Sequence, residues 1–220
     1  MKYKCLILDH DDTVVNSTAT IHFPSFIEYL KYARPDRADD YTLEEFILKN
    51  FTPGIVSLFR DELGLTDAEL EEEQGFWERF VKTRYPTAYS GIREILSRFV
   101  EEGGIIAVAS HSMTRFIERD YEHNGLPEPH EIFGWDLPRE LRKPNPYAVE
   151  VLIEKYGFTP SEILMVDDLK PGFDMARAAG IDFAAAGWGY DVPEIESFMR
   201  EHSDYYLSSV DDLSRLLFAD

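Results

Sequence analysis

Four short apolar runs stand out along the chain: Cys5–Leu8, Ile105–Ala109, Ile163–Val166 and Ile181–Ala186. None alternates cleanly between apolar and polar positions, and turn formers bound each one. That pattern predicts strands buried on both faces, as in a parallel sheet. Between the later runs the apolar spacing shifts to the helical period. Met113–Asn124 follows Ser112, a capping residue, and stops at Gly125. Asn145–Tyr156 has Pro146 in its first turn and Gly157 after its end, and Asp174–Ala179 stops at Gly180. Strand alternating with helix predicts an α/β fold with a parallel sheet covered on both faces.

Residues 17–89 break that rhythm. They hold no convincing strand but several amphipathic segments: Phe26–Tyr32, Leu43–Leu48, Ile55–Leu63 and Ala68–Val81. Structureless loops longer than roughly 12–15 residues are uncommon inside a compact domain. The stretch therefore reads as a small helical domain inserted into a core made of residues 1–16 and 90–220. Its "DAELEEEQGFWERF" is the densest acidic run and reads as a solvated helix face.

The 220 residues, 44% of them hydrophobic, suffice for one core and a smaller insertion. A formal charge of −20, from 42 acids against 22 bases, argues against nucleic acid or an anionic membrane as partner. A small anionic substrate stays open, because a basic pocket or a metal ion inverts the field locally. The single cysteine, Cys5, permits no internal disulfide and lies in an apolar run, where it reads as a small buried hydrophobe in a reducing compartment. Met1-Lys2 leads straight into the first strand, so no signal peptide is expected, and no apolar run is long enough to span a bilayer. The expected location is the cytoplasm.

The chemistry is concentrated where strands end. The first is followed by Asp9, Asp11 and Asp12, at the carboxyl end where open α/β sheets bind ligands. Two acids one residue apart there suit a nucleophile with an acid/base, a set of metal ligands, or an acidic turn. After "IIAVA" come Ser110, His111 and Ser112 at a helix start, a place where free N–H groups hold anions. After "ILMV" come Asp167 and Asp168, and "RKPNP" supplies Lys143 between them in the chain. Taken together these form a hard-cation site beside a phosphate cradle.

In "DHDDT", "VASHS", "KPNP" and "VDDLKPGFDMARAAG", in that order, the chain resembles the haloacid dehalogenase-like (HAD) hydrolase superfamily. "YSGIREILSRFVEEGGIIAVAS" and the helical insertion resemble its phosphoglycolate phosphatase and beta-phosphoglucomutase branch. The resemblance implies a Rossmann-like parallel-sheet core with an α-helical cap domain at 17–89. It implies Asp9 as nucleophile forming an aspartyl-phosphate, and Asp11 as the acid and base. Ser110, His111 and Lys143 would bind phosphate. Mg²⁺ would be held by Asp9, the main-chain carbonyl of Asp11, Asp168, and Asp167 directly or through water. "KNFTPGIV" resembles the substrate-specificity loop of helical caps, with Phe51 and Thr52 closing over the leaving group; an ordinary helix–helix turn is the alternative.

Asp12 stands where the family commonly has glycine and reads as a turn residue. His111 replaces a common asparagine and is expected to offer its backbone N–H. Asp174 is placed on a helix, exposed. His22, Tyr29 and Trp77 are candidates for the cleft, although aromatic residues at helical spacing usually form core. The resulting expectation is a Mg²⁺-dependent phosphatase of a small phosphorylated metabolite, monomeric or homodimeric. The alternatives are a phosphosugar mutase and a non-catalytic HAD-like binding protein. The mutase is disfavoured by the absence of arginine in "NFTPGIVS" and by His22 lying one place from the mutase's cap histidine. A dehalogenase would dispense with the second aspartate and the metal. Phosphonate cleavage would need a cap lysine, for which the surroundings of Lys49 do not match.

Overall fold

The computed structural model describes residues 1–219. It divides into two compact units, one made of Met1–Asn16 and Thr87 onward, the other of Ser17–Pro86. The first unit opens with β1 (Cys5–Leu8) and a short β2 (Val15–Asn16). The chain returns to it at Thr87 rather than at residue 90. The reason is local: β3 (Thr87–Ala88) pairs antiparallel with β2.

The second unit lies between these two strands in sequence. It contains α1 (Phe23–Ala33), α2 (Leu43–Phe51), a single turn α3 (Ile55–Ser57) running into a wider turn Leu58–Glu62, and α4 (Asp67–Val81). Both α2 and α4 begin with a reciprocal capping box, Thr42 with Glu45 and Thr66 with Glu69. Phe26, Tyr29, Leu30, Phe46, Leu58 and Leu63 form its core, with the Phe26 and Phe46 rings 4.8 Å apart. The acidic run on α4 is more than a solvated face. Glu69 closes the helix cap and accepts a hydrogen bond from Arg34 at 2.6 Å, while Glu73 is half-buried.

After β3 the first unit continues through α5 (Ile92–Glu101), β4 (Ile105–Ala109), α6 (Thr114–His123), β5 (Glu131–Phe133), α7 (Tyr147–Tyr156) and β6 (Ile163–Asp167). It closes with α8 (Lys170–Ala179), β7 (Asp182–Ala186), α9 (Pro193–His202), β8 (Tyr205–Leu207) and α10 (Val210–Phe218). The main sheet is parallel, in the order β5-β4-β1-β6-β7-β8. The four anticipated strands are its centre. The two edge strands, only three residues each and partly exposed, were too short to show a period.

Register decides which side chains share a face. Leu6 and Leu8 pair with Ile106 and Val108 on one side and with Leu164 and Val166 on the other. These residues pack in one cluster with Leu96 and Phe99 of α5, Ile117 and Tyr121 of α6, and Leu213 of α10. Cys5, Ile7, Met165 and Phe183, on the alternate positions, are fully buried too. α8 starts at Lys170, earlier than the Asp174 expected from the pattern, because Pro171 and Gly172 are tolerated in a first helical turn. α7 likewise begins at Tyr147, just past Pro146, with the Tyr147 N–H donated to Asn145 Oδ1 at 2.9 Å. No helix among the described residues is long and apolar enough to cross a membrane.

Burial raises the Glu73 carboxyl from its ordinary 4.5 to about 7, against a smaller opposing pull from His22. The native state thus keeps a proton that the unfolded chain releases, and stability falls as pH rises from 4.5 through 7. Glu73→Gln is expected to raise the melting temperature by about 2–5 °C at pH 8 and to leave it unchanged near pH 4, as read by thermal denaturation at the two pH values.

Candidate active site

The carboxyl ends of β4, β1 and β6, three neighbours in the sheet, carry the acids and hydroxyls singled out in the sequence. The Asp9 N–H donates to Val166 O at 2.9 Å, which continues the β1–β6 ladder one residue past its last pair, Leu8 with Val166. Asp9 and Asp167 therefore leave the sheet side by side, on the face of Ile7 and Met165. One carboxylate oxygen from each of Asp9, Asp167 and Asp168 lies within 4.8 Å of the other two, and all three residues are buried.

Past Asp9 the chain turns tightly. His10 O accepts the Val14 and Val15 N–H groups, and the Asp12 N–H donates to Val15 O. Asp12 has φ 56°, the left-handed conformation that a glycine usually takes. It shapes the turn, in keeping with the sequence reading.

Lys143 neutralises the cluster from one side. Its Nζ lies 2.6 Å from Asp167 Oδ2 and 2.9 Å from Asp9 Oδ1, with the lysine side chain only 5% exposed. The contact with Asp167 is a hydrogen bond; that with Asp9 is an ion pair without hydrogen-bond alignment. Burial alone would lower the lysine pKa, but the two carboxylates outweigh it and raise it. One cation does not balance three acids. Burial, then mutual repulsion, raises Asp168 well above the usual carboxylate range, and Asp167 is raised by its burial despite Lys143.

Two further oxygens of the cluster have donors of their own. Asp167 Oδ1 accepts the Leu169 N–H at 2.7 Å, and Asp168 Oδ1 accepts the Thr13 hydroxyl at 3.0 Å. Tyr190 donates to Asp168 O, and Trp188 Nε1 to Thr13 O. Asp11 points to β4's loop, where Ser112 Oγ donates to its Oδ2 at 2.6 Å. Ser112 is thus a carboxylate holder rather than a helix cap. α6 starts at Thr114, whose N–H is taken by Asp136 Oδ2 at 2.6 Å. Ser110 Oγ accepts the Ser112 N–H at 3.1 Å, which leaves its own proton to donate.

His111 lies 3.1 Å through Nε2 from Lys143 O, and its ring meets Trp135 edge-on. Its surroundings, and then Lys143, push it down to about 4, so the ring is neutral at pH 7 and donates through Nε2. The side chain therefore braces the Lys143 loop, a role beyond the backbone donor expected of it. Asp174 pairs with Lys170 on α8, 38% exposed.

In the helical unit Phe51 is buried and Thr52 exposed. Tyr29 is core and donates to Glu69 O. His22 Nδ1 accepts the Trp77 indole N–H at 3.0 Å, and Lys49 pairs with Glu62. Thr13, Ser112, Trp188 and Tyr190 are site neighbours that residue type alone did not disclose. Thr13, inside "DHDDT", and Ser112, inside "VASHS", had a motif to point to them; Trp188 and Tyr190 had none.

The family model for haloacid dehalogenase-like hydrolases matches residues 6–186. This chain belongs to the haloacid dehalogenase-like hydrolase family. A phosphoglycolate phosphatase from Aliivibrio fischeri is 32% identical over 107 residues, but the match spans about half of each chain, 48% of this one and 47% of that enzyme. A phosphoglycolate phosphatase from Haemophilus influenzae (strain 86-028NP) is 25% identical over 209 residues, covering 89% of this chain and 92% of that protein. In fold, the chain is similar to a predicted phosphoglycolate phosphatase from Haemophilus somnus, with TM-score 0.77, 20% identity and 99% of both chains covered. A haloacid dehalogenase-like family hydrolase from Streptococcus pneumoniae gives the same TM-score of 0.77 at 17% identity, again over 99% of both chains. The family membership makes the chain a hydrolase, and the named relatives place it beside the phosphoglycolate phosphatases.

Gly172 lies where α8 passes the acid cluster, and a Cβ there would come within 2.1 Å of Asp167 Oδ2. Gly172→Ala is expected to displace that carboxylate from Lys143, with an overpacking cost of about 1–3 kcal/mol read as a lowered melting temperature. An unchanged melting temperature together with an unmoved Asp167 in a crystal structure of the variant would refute this.

Proposed function

We propose that the protein is a Mg²⁺-dependent phosphomonoesterase of small phosphorylated metabolites, working through an aspartyl-phosphate on Asp9. The observation that carries the reading is Lys143 Nζ 2.9 Å from Asp9 Oδ1, inside a buried three-carboxylate cluster. The donor set is all oxygen, buried, and over-charged for a single lysine, which fits a hard divalent cation. Asp9, Asp168 and the Asp11 carbonyl would hold Mg²⁺, with Asp167 directly or through water; when bound, the ion supplies charge neutralisation for an incoming phosphate dianion. Asp167, already engaged by Lys143 and the Leu169 N–H, is suited to the more distant of these places.

The chain's own residues account for the rest. Lys143 and the Ser110 hydroxyl orient the phosphoryl oxygens. An Asp9 oxygen forms a bond to phosphorus as the ester P–O bond breaks, and Asp11 gives its proton to the departing alkoxide. Asp11 then takes a proton from water, whose oxygen attacks phosphorus; the bond to Asp9 breaks and inorganic phosphate leaves. The hydrogen bond from Ser112 keeps Asp11 aimed for both transfers. The relatives point to a phosphorylated small carboxylic acid such as phosphoglycolate as the substrate class. Phe51 and Thr52 are proposed to take part in choosing the leaving group.

Hydrolysis of p-nitrophenyl phosphate should require Mg²⁺ and stop on chelation. Asp9→Asn is expected to lose at least about 1,000-fold in kcat and Asp11→Asn about 100- to 10,000-fold. Full activity in Asp9→Asn would end the proposal. Mg²⁺ at about 100 times its Kd should raise the melting temperature by about 5–10 °C, and Asp168→Asn should largely abolish that rise, as measured by differential scanning fluorimetry.

A further inference from the structure

His10 stands between the two acids of the first motif, and the mechanism above gives its side chain nothing to do. Alternation along β1 puts it on the face of Leu6 and Leu8, where α6 packs, and away from Asp9. There the ring is 1% exposed, and its Nε2 donates to Asp120 Oδ2 of α6 at 3.2 Å. Asp120, itself 3% exposed, is held through Oδ1 by Arg119 Nε at 2.8 Å and by a terminal guanidinium nitrogen of the same residue at 2.6 Å. The imidazole also stacks on Tyr121, centroids 5.9 Å apart.

This arrangement is costly to bury. His10 Nδ1 and the Tyr121 hydroxyl are both enclosed without a hydrogen-bond partner, and each forfeits the hydrogen bond it would make to water. An apolar side chain would fill the same space without that loss, so the polar tie serves something other than packing. What it joins is specific. One end is the turn that carries Asp9 and Asp11; the other is the helix that follows Ser110 and Ser112. Ser112 already bonds Asp11 across the same gap at 2.6 Å. The turn and the helical segment are therefore fastened at two points, through His10 and Asp11, the two residues that follow the nucleophile.

Building on the phosphatase reading, we infer that His10 is a positioning residue: through Asp120 it sets the separation between the Asp9–Asp11 pair and the Ser110–Ser112 loop. Its hydrogen bond is what matters, and its ring is only the carrier. A displacement of about 1 Å between such groups costs up to about 100-fold in rate, without altering how well a substrate's phosphate is held initially.

The test compares His10→Leu, His10→Gln and Asp120→Ala in the full-length protein. Glutamine can place its amide N–H where the imidazole Nε2 lies, and leucine cannot. With p-nitrophenyl phosphate and Mg²⁺, His10→Leu should lose about 10- to 100-fold in kcat with KM changed less than about 3-fold. His10→Gln should recover most of the loss, and the His10→Leu/Asp120→Ala double variant should be no worse than the poorer single. A folded His10→Leu with wild-type kcat overturns the inference, and so does a His10→Gln as impaired as His10→Leu. A wild type inactive on every phosphoester would sink the phosphatase reading instead. The tie would then be judged by the Mg²⁺-induced melting shift, expected smaller in His10→Leu and restored in His10→Gln; equal shifts in all three proteins would overturn it.

Discussion

Everything in the first unit turns on one buried cation. Lys143 has its amine between Asp167 and Asp9, at 2.6 and 2.9 Å, and only 5% of its side chain is exposed to water. A lysine is buried at tolerable cost only when carboxylates surround it, and adjacent carboxylates are tolerable only around a cation. Here the two conditions are met together but not in balance. Asp168 brings a charge that Lys143 does not answer, and its pKa is raised by burial first and then by the neighbouring carboxylates. Three acids and one lysine make a place that favours further positive charge, which is the property a phosphate-handling site needs before an anionic substrate can approach.

The acids of that cluster come together because two neighbouring parallel strands, β1 and β6, end level with one another. Strand spacing in a sheet is about 4.8 Å, so residues one place beyond paired positions fall within ligand distance of each other with no further device. The β1–β6 register makes Asp9 and Asp167 such neighbours. The rest of the local structure then limits each acid to one task. The Leu169 N–H and Lys143 take both oxygens of Asp167, the Thr13 hydroxyl takes one of Asp168, and Ser112 takes one of Asp11. A proton carrier needs a partner that orients it, and a metal-binding acid needs a free lone pair; the hydrogen bonds suit the acids to the roles proposed for them. The His10–Asp120 contact belongs to the same logic one layer further from the reacting atoms.

Much of this was legible in the residue order. The four central strands, the helices between them and the acids, hydroxyls and lysine at their ends were all marked by local pattern, since burial on both faces forces continuous apolar runs and strand ends force turns. The helical insertion was legible by elimination, as a long stretch that could neither be strand nor stay unstructured. Edge strands β5 and β8 were not, because three half-exposed residues carry no period. The cap of α6 was placed on Ser112, and its start on Met113, because a serine before a helix is locally indistinguishable from a cap; the helix begins at Thr114, and Asp136, distant in sequence, takes its first N–H. Glu69 and Glu73 were hidden inside an acidic run whose individual fates depend on which side of α4 each one occupies.

The sequence by itself determined which chemical groups would gather at one end of a parallel sheet, because strand order along the chain and the polarity of strand ends follow from local propensity. It also determined that a glycine-like turn would follow Asp9, taken up by Asp12. Only the tertiary structure decided the pairings: that Ser112 serves Asp11, that Thr13 serves Asp168, that His111 braces Lys143 and that His10 reaches Asp120. Each of these is a contact between residues whose separation along the chain says nothing about their distance in space. A hydroxyl, an imidazole or a carboxylate looks the same in a sequence whether it faces water or a partner. Packing alone settles which.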